Sequence, residues 1–296
     1  MPDGPGEAKE WGEGIMITPA GCIPNNAAIA AHYDDLDDLY REIWGTDVHH
    51  GYWITGKESA PEAAANLTRF IAEKAAIRPG HRVCDIGCGY GATARMLNVD
   101  YGAEVIGLTI STKQYDHARC IANGNGQLNF MLADALQNNL PSKAFDAVIA
   151  IESTEHIAPL PSLISEARRL LHDGGHFVIA AWLARDRPGH WQKKHLLEPI
   201  CAEGLLPNMG SADEYLELLS QCGFRNIEFT DLTVKVKKTW TICALRLIRR
   251  VVADPALRRR LRDPRFTNRI FAKTIFRIRF AYETGAMRYG IFSAVK

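Results

Sequence analysis

The stretch richest in chemistry is Val83-Cys84-Asp85-Ile86-Gly87-Cys88-Gly89-Tyr90-Gly91, an apolar run that passes into a glycine-rich turn. Glycine has no Cβ, so the backbone of such a turn can close on a ligand, and the carboxyl end of a strand is where open α/β sheets bind ligands. Read literally, Gly87-Cys88-Gly89-Tyr90-Gly91-Ala92 matches the G-x-G-x-x-G/A dinucleotide pattern. A dinucleotide site also expects an acidic residue about 20 positions on for the ribose hydroxyls, and that stretch here reads Gly107-Leu108-Thr109-Ile110-Ser111. The missing carboxylate counts against a nicotinamide oxidoreductase. Asp85 can instead accept a hydrogen bond from a ligand ammonium, which suits a nucleoside cofactor that carries an amino acid.

The elements that position this turn follow from periodicity. Between His81 and Leu183, β-rich runs alternate with helical segments, the pattern of parallel strands joined by right-handed helical crossovers. The runs are Arg82–Ile86, Glu104–Leu108, Leu128–Leu132, Phe145–Ile151 and His176–Ala181, each apolar enough for a strand buried on both faces. Helices are expected from near Gly91, Thr112 and Pro161, the last ending at His172-Asp173-Gly174-Gly175 in a glycine cap. Further along, Ser211–Cys222 reads as a helix, and Arg225–Val236 and Met287–Val295 as strands. Helical additions at Asn26–Trp44, Glu62–Ala75 and Thr239–Gly285 read as caps over a pocket. In the last of these, Phe266, Ile270, Ile275, Ile278 and Tyr282 form an apolar stripe among arginines. The expected layout is a flexible tail (1–25), a helical cap (26–80), a cofactor-binding α/β core (81–234), a basic helical lid (235–286) and a last core strand (287–296).

With Asp85-Ile86-Gly87-Cys88-Gly89-Tyr90-Gly91, then Asp134-Ala135 after the third strand and Glu152 after the fourth, the chain resembles the class I S-adenosylmethionine methyltransferases. Gly107-Leu108-Thr109-Ile110-Ser111 with Gln114, Ile151-Glu152-Ser153-Thr154-Glu155-His156 and His49-His50-Gly51-Tyr52-Trp53 are similar to one branch of that superfamily. The branch holds tocopherol methyltransferases, cyclopropane fatty acid synthases and terpenoid and alkaloid enzymes. The resemblance implies a doubly wound, seven-stranded, mostly parallel sheet and S-adenosylmethionine as cofactor. It further implies that Asp85, Gly87, Cys88 and Gly89 line the methionine and ribose part, and that Thr109, Ile110, Ser111 and Gln114 hold ribose and adenine. Asp134 and Ala135 would meet the adenine edge, Ile151 would close the site beside the sulfonium, and Tyr33 and Tyr52 would cover the cofactor.

Methyl transfer from a sulfonium is an in-line displacement that depends on positioning, with a base needed only for protonated nucleophiles. Glu155 and His156, just beyond the fourth strand, are the candidates for base or substrate binding; the competing reading makes Glu155 a turn cap and His156 a packing residue. His49 and His50 could line the entrance, but as adjacent histidines without an assigned carboxylate partner they read as structural. Asp34-Asp35-Leu36-Asp37-Asp38 matches a D-D-x-x-D magnesium pattern, but carboxylates early in a cap helix are favoured by its dipole, so no metal is expected. Cys84 and Cys88 lack the second pair that a metal site requires.

Charge is unevenly spread. From Lys235 to Lys296 there are 17 Lys and Arg against 3 Asp and Glu, although the whole chain carries only +1. Such a segment suits docking on the acidic body, a solvated helix face, a peripheral membrane contact or an anionic substrate, with Arg258-Arg259-Arg260 and Arg262 as a conceivable phosphate clamp. No nucleic-acid module accompanies it. Seven cysteines without regular spacing fit reduced thiols of a cytoplasmic protein, and no run of about 18 apolar residues spans a bilayer. The expected partner is a small lipophilic substrate, with homo-oligomerisation open. A cyclopropane-forming lipid synthase and a non-catalytic cofactor-binding module stand as alternatives to a methyltransferase.

Overall fold

The computed structural model describes residues 17, 24–45, 47–122, 124–263 and 269–296. The expectations for Met1–Gly14, Phe266 and the side chains of Arg260 and Ile270 lie outside the described residues. Two helices, α1 (Asn26–Ile43) and α2 (Ala60–Lys74), precede an alternating run of β1 (Arg82–Ile86), α3 (Ala92–Tyr101), β2 (Glu104–Thr109), α4 (Thr112–Ala122), β3 (Leu128–Leu132), β4 (Phe145–Ile151), α5 (Leu160–Leu170) and β5 (Leu171–Ala184). Then come α6 (His190–Gln192), α7 (Glu198–Gly204), α8 (Ala212–Gln221), β6 (Arg225–Asp231), α9 (Thr233–Val236), α10 (Lys238–Ala253), α11 (Pro255–Arg262), α12 (Arg269–Glu283) and β7 (Met287–Val295). Sheet order is β3-β2-β1-β4-β5-β7-β6. The pairs from β3 to β5 are parallel, and β7 runs antiparallel to both β5 and β6.

Each central strand is apolar because helices cover both faces. β4 buries every residue except Asp146, and β1 every residue except Arg82. The turn after β1 is drawn against the turn after β4: Ser153 Oγ donates to the Ile86 carbonyl at 2.6 Å. A Cβ on Gly87, whose φ is +77°, would lie 2.3 Å from Ser153 Cβ. Glycine is therefore required there both sterically and conformationally. Capping boxes start α2 (Ser59 with Glu62) and α8 (Ser211 with Glu214).

Three boundaries differ from expectation. The strand expected over Arg225–Val236 stops at Asp231, whose Oδ1 accepts the Thr233 N–H at 2.8 Å in a turn that leads into α9. The glycine turn at 172–175 is a bulge inside β5 rather than a helix cap, because pairing jumps from Phe145–Leu171 to Ala147–His176. Within the expected 1–25 tail, Ile17 is fully buried and bridges Met209 through N···O contacts of 3.1 and 2.8 Å.

The D-D-x-x-D segment works as a clamp between cap and core. Asp34 accepts the Ser111 hydroxyl at 2.6 Å, and Asp37 accepts the Tyr90 hydroxyl at 2.7 Å. The lid elements α9 to α12 pack over the same end of the sheet, with Ile275, Ile278 and Tyr282 buried as expected.

On the opposite face, Phe292 of β7 stacks on Tyr215 of α8 at 4.9 Å and meets Phe229 at 4.9 Å. Phe292→Ala is expected to cost about 3–5 kcal/mol in urea denaturation, the range for deleting a buried aromatic.

Candidate active site

Two cavities meet at the carboxyl ends of β1, β2 and β4. The first, of about 740 Å³ including its open mouth, is lined by Gly87, Gly89, Thr109, Ile110, Gln114, Asp134, Ala135 and Ile151, with Asn26, Ile29, Tyr33 and Val48 of the cap above. A side compartment sharing Val48, Gly87, Gly89 and Ile151 continues to Asp85, Cys88 and His49. Local order comes from short contacts. Thr109 Oγ1 donates to Gln114 Oε1 at 2.9 Å, and Asp134 accepts the Leu136 N–H and the Asn26 amide, both at 2.8 Å. Ser111 is fully buried behind this wall, where its hydroxyl meets Asp34 and accepts the Gln114 N–H at 3.2 Å. It positions the wall without lining it.

The fit to an amino-acid-bearing nucleoside rests on two observations. Asp85 is 2% exposed and its Oδ2 has no hydrogen-bond partner; burial pushes its pKa up to about 7. Such an orphaned acceptor suits a ligand ammonium. A Cβ on Gly89, at φ +54°, would meet nothing within 4 Å, so the bare backbone there faces open cleft. Tyr52 is not brought to the site. Its ring packs on Phe70 at 5.4 Å and its N–H donates to the Ala63 carbonyl at 2.7 Å, so the expectation that it covers the cofactor is corrected: on the cap side the cleft is closed by Tyr33 and Val48.

The second cavity, about 590 Å³, lies between cap and lid. It shares Tyr33, Val48, Glu152 and His156 with the first and adds Tyr40, Trp44, Glu155, Trp182, Leu206, Trp240, Thr274 and Ile278. Of the Glu155-His156 pair, His156 has both ring nitrogens engaged. Nδ1 donates to the Leu205 carbonyl at 3.3 Å, leaving Nε2 to accept the Tyr33 hydroxyl at 2.7 Å, and burial lowers its pKa to about 4. It is placed to hold Tyr33. Glu155 accepts the Trp182 backbone N–H and the Thr154 hydroxyl, and burial drives its pKa up to about 8. None of Arg258, Arg259 and Arg262 lines either cavity; Arg258 donates to the Val251 and Val252 carbonyls at the end of α10, so a phosphate clamp does not form there.

Glu152, a motif residue to which sequence reasoning assigned no role, is held at φ +51° directly after β4. Its Oε1 accepts the His50 N–H at 2.7 Å and the Tyr289 hydroxyl at 2.8 Å. Oε2 accepts His50 Nδ1–H at 3.0 Å and the Trp182 indole N–H at 2.8 Å. Burial works against its charge, but the His50 ring and these bonds more than offset that, and the pKa falls to about 2. His50 thus has the carboxylate partner it lacks in sequence, and its Nε2 accepts the Trp240 indole N–H at 2.6 Å. A non-glycine residue in a left-handed turn is a strain signal visible only in three dimensions.

Among the described residues no helix is long and apolar enough to cross a membrane, and no group of three potential metal ligands occurs.

This sheet order, glycine turn and ammonium-seeking carboxylate define a class I methyltransferase fold. The mycolic acid cyclopropane synthetase family model matches residues 22–254, and the chain belongs to that family; it is an S-adenosylmethionine-dependent methyltransferase. It is 30% identical to (+)-O-methylkolavelool synthase of Herpetosiphon aurantiacus over 226 residues, 75% of this chain and 78% of that protein. To the chloroplastic tocopherol O-methyltransferase of Arabidopsis thaliana it is 29% identical, covering 72% and 67%. Mycolic acid cyclopropane synthase CmaA1, solved with SAH and CTAB, superimposes with a TM-score of 0.80 over 93% of this chain and 99% of that one, at 22% identity.

Asp85→Asn is expected to weaken S-adenosylhomocysteine binding about tenfold or more in calorimetry, the worth of one charge-assisted bond. In the unsubstituted enzyme affinity is expected to rise as pH passes upward through about 7, where Asp85 ionises, and this rise is lost in the variant. Glu152→Ala is expected to cost about 3–5 kcal/mol in denaturant unfolding near neutral pH, by leaving buried donors unpaired. Because the folded pKa lies below the usual 4.5, this contribution is present above 4.5 and lost as pH falls towards about 2.

Proposed function

We propose that the enzyme methylates a carbon, nitrogen or oxygen atom of a small, neutral, lipophilic acceptor seated in the cavity between cap and lid. The observation that carries this reading is the lining of that cavity: aromatic and aliphatic walls and two carboxyl groups, with no Lys or Arg among the described lining residues. Such walls disfavour an anion and offer apolar burial to a ring or prenyl chain. The basic segment 235–296 also suited an anionic substrate, but none of its described cations lines this cavity. The kinship with enzymes named for kolavelool and tocopherol methylation supports the same acceptor class.

When bound, the cofactor supplies an electrophilic methyl on a sulfonium. Tyr33 and Val48, which border both cavities, would fix the acceptor against it, with His156 holding the Tyr33 hydroxyl. Glu152 would keep a fixed negative charge at the junction. Glu155, poised near neutrality, would take the proton that a hydroxyl or a methylated alkene must release. Closure of a cyclopropane on a lipid chain is the second reading, supported by the family model. It needs the same base but removes the proton from the transferred methyl itself.

Glu155→Gln is expected to lower kcat about 100-fold or more without weakening S-adenosylhomocysteine binding; activity within about threefold of the parent would remove Glu155 as the base. The raised pKa means that the folded enzyme loses stability between pH 4.5 and about 8, where unfolded chains ionise and Glu155 does not, so the variant is expected to lose that slope in thermal scans. With a trideuteromethyl cofactor, a product retaining all three deuterons identifies methyl transfer, and one retaining two identifies cyclopropane closure.

A further inference from the structure

We infer that the outer face of the lid docks the enzyme on an anionic lipid surface. Of the ten large apolar side chains left exposed among the described residues, Leu245, Ile248 and Val252 lie on α10 and Phe276 and Phe280 on α12, with Trp191 of α6 beside Phe280. Single exposed hydrophobics are ordinary, whereas a group of this size on one packed unit is not. The i, i+3, i+7 spacing on α10 and the i, i+4 spacing on α12 align each set along one side of its helix. Trp191 and Phe280 meet edge to face at 6.3 Å.

Charge selects the occupant. Part of the basic segment is consumed by the body: Arg250 pairs with Glu42, Arg277 with Glu203, and Arg288 with Asp186. Arg249, Arg259, Arg262, Lys273 and Arg279 remain exposed and make no ion pair among the described residues. Arg249 shares α10 with one apolar stripe and Lys273 and Arg279 share α12 with the other, while Arg259 and Arg262 lie on α11 between them. A helical layer that presents aromatic and aliphatic side chains beside free cations is suited to headgroup depth in an anionic bilayer. The same cations repel a second copy of this face.

α12 has a second face. Thr274 and Ile278 line the acceptor cavity while Phe276 and Phe280, on the opposite side of the helix, face outward, so this helix separates the proposed bilayer contact from the substrate site. The docking itself does not rest on the methyl-transfer reading, because it needs no turnover.

The test is co-sedimentation of the full chain with phosphatidylcholine vesicles, with and without about 30 mol% phosphatidylglycerol. Partition is expected to be about tenfold stronger on the anionic vesicles and to fall in about 0.5 M salt. The Phe276→Ser/Phe280→Ser double variant is expected to lose about tenfold of that partition, with S-adenosylhomocysteine binding unchanged as the check on its fold. Equal partition on both vesicle types overturns the proposal. Salt-sensitive partition that the double variant retains also overturns it, and assigns a charge-only surface for an acidic macromolecule. A dimer in gel filtration that the double variant breaks, with no vesicle binding, assigns the face to a second copy and overturns it equally.

Discussion

The site depends on one buried charge. An ionised carboxylate away from water is tolerated only when its oxygens are fully hydrogen-bonded, and Glu152 meets that demand with donors from three parts of the chain: His50 between α1 and α2, Trp182 on β5 and Tyr289 on β7. No subset of cap and sheet satisfies it alone. Trp240 of α10 and Tyr282 of α12 then meet the far side of the His50 ring, at 2.6 and 3.3 Å, which brings the lid into the same network. Cap, sheet and lid therefore close around the cavities together, and the left-handed turn at Glu152 is held in place by the bonds its side chain makes.

Two carboxyl groups three residues apart end with opposite protonation because their donors differ. Glu152 has an imidazole and an indole directly on it, and stays ionised far below neutrality. Glu155 has backbone N–H groups and a hydroxyl, with no cation or ring donor, to weigh against the same depth of burial, and Glu152's negative charge adds to the cost of its own. A pair whose environments push the pKa values apart separates a permanent counter-charge from a group able to gain and lose a proton. His156, although adjacent to Glu155, belongs to neither role, since both of its nitrogens are committed to Leu205 and Tyr33.

What could be read from the sequence was what is local. The glycine turn, the five parallel strands and the Ser211 cap each depend on a handful of neighbouring residues, and each is in place. Pairings across the chain were not readable. His50 and Glu152 are separated by 102 positions, so a histidine that is adjacent only to another histidine gives no sign of its carboxylate. Tyr52 fails for a related reason: its type and spacing suit a cofactor cover, but which way a cap loop turns its ring is decided by Phe70 on α2. The Arg225–Val236 alternation ran past the real strand end because Asp231 offers the backbone a turn that strand periodicity does not register.

The division between cofactor and acceptor explains why the reaction class is legible and the substrate is not. The described side chains at the cofactor end come from the carboxyl edge of the sheet with the helices that follow it, the first cap helix and the loop after it, all within residues 22–254 that the family model matches. The acceptor cavity takes two of its wall residues, Thr274 and Ile278, from α12, beyond that match, and Tyr289, which holds Glu152 ionised, lies further on again. The glycine turn and its carboxylate thus sit at strand ends, while part of the second cavity's wall comes from a helix inserted before the last strand. The insertion packs on β7 through α9 and α12 and joins the Glu152 network through Trp240 and Tyr282 on His50. On the proposed reading, substrate choice in this chain is a property of how α12 and the cap share that cavity rather than of the glycine turn that identifies its chemistry.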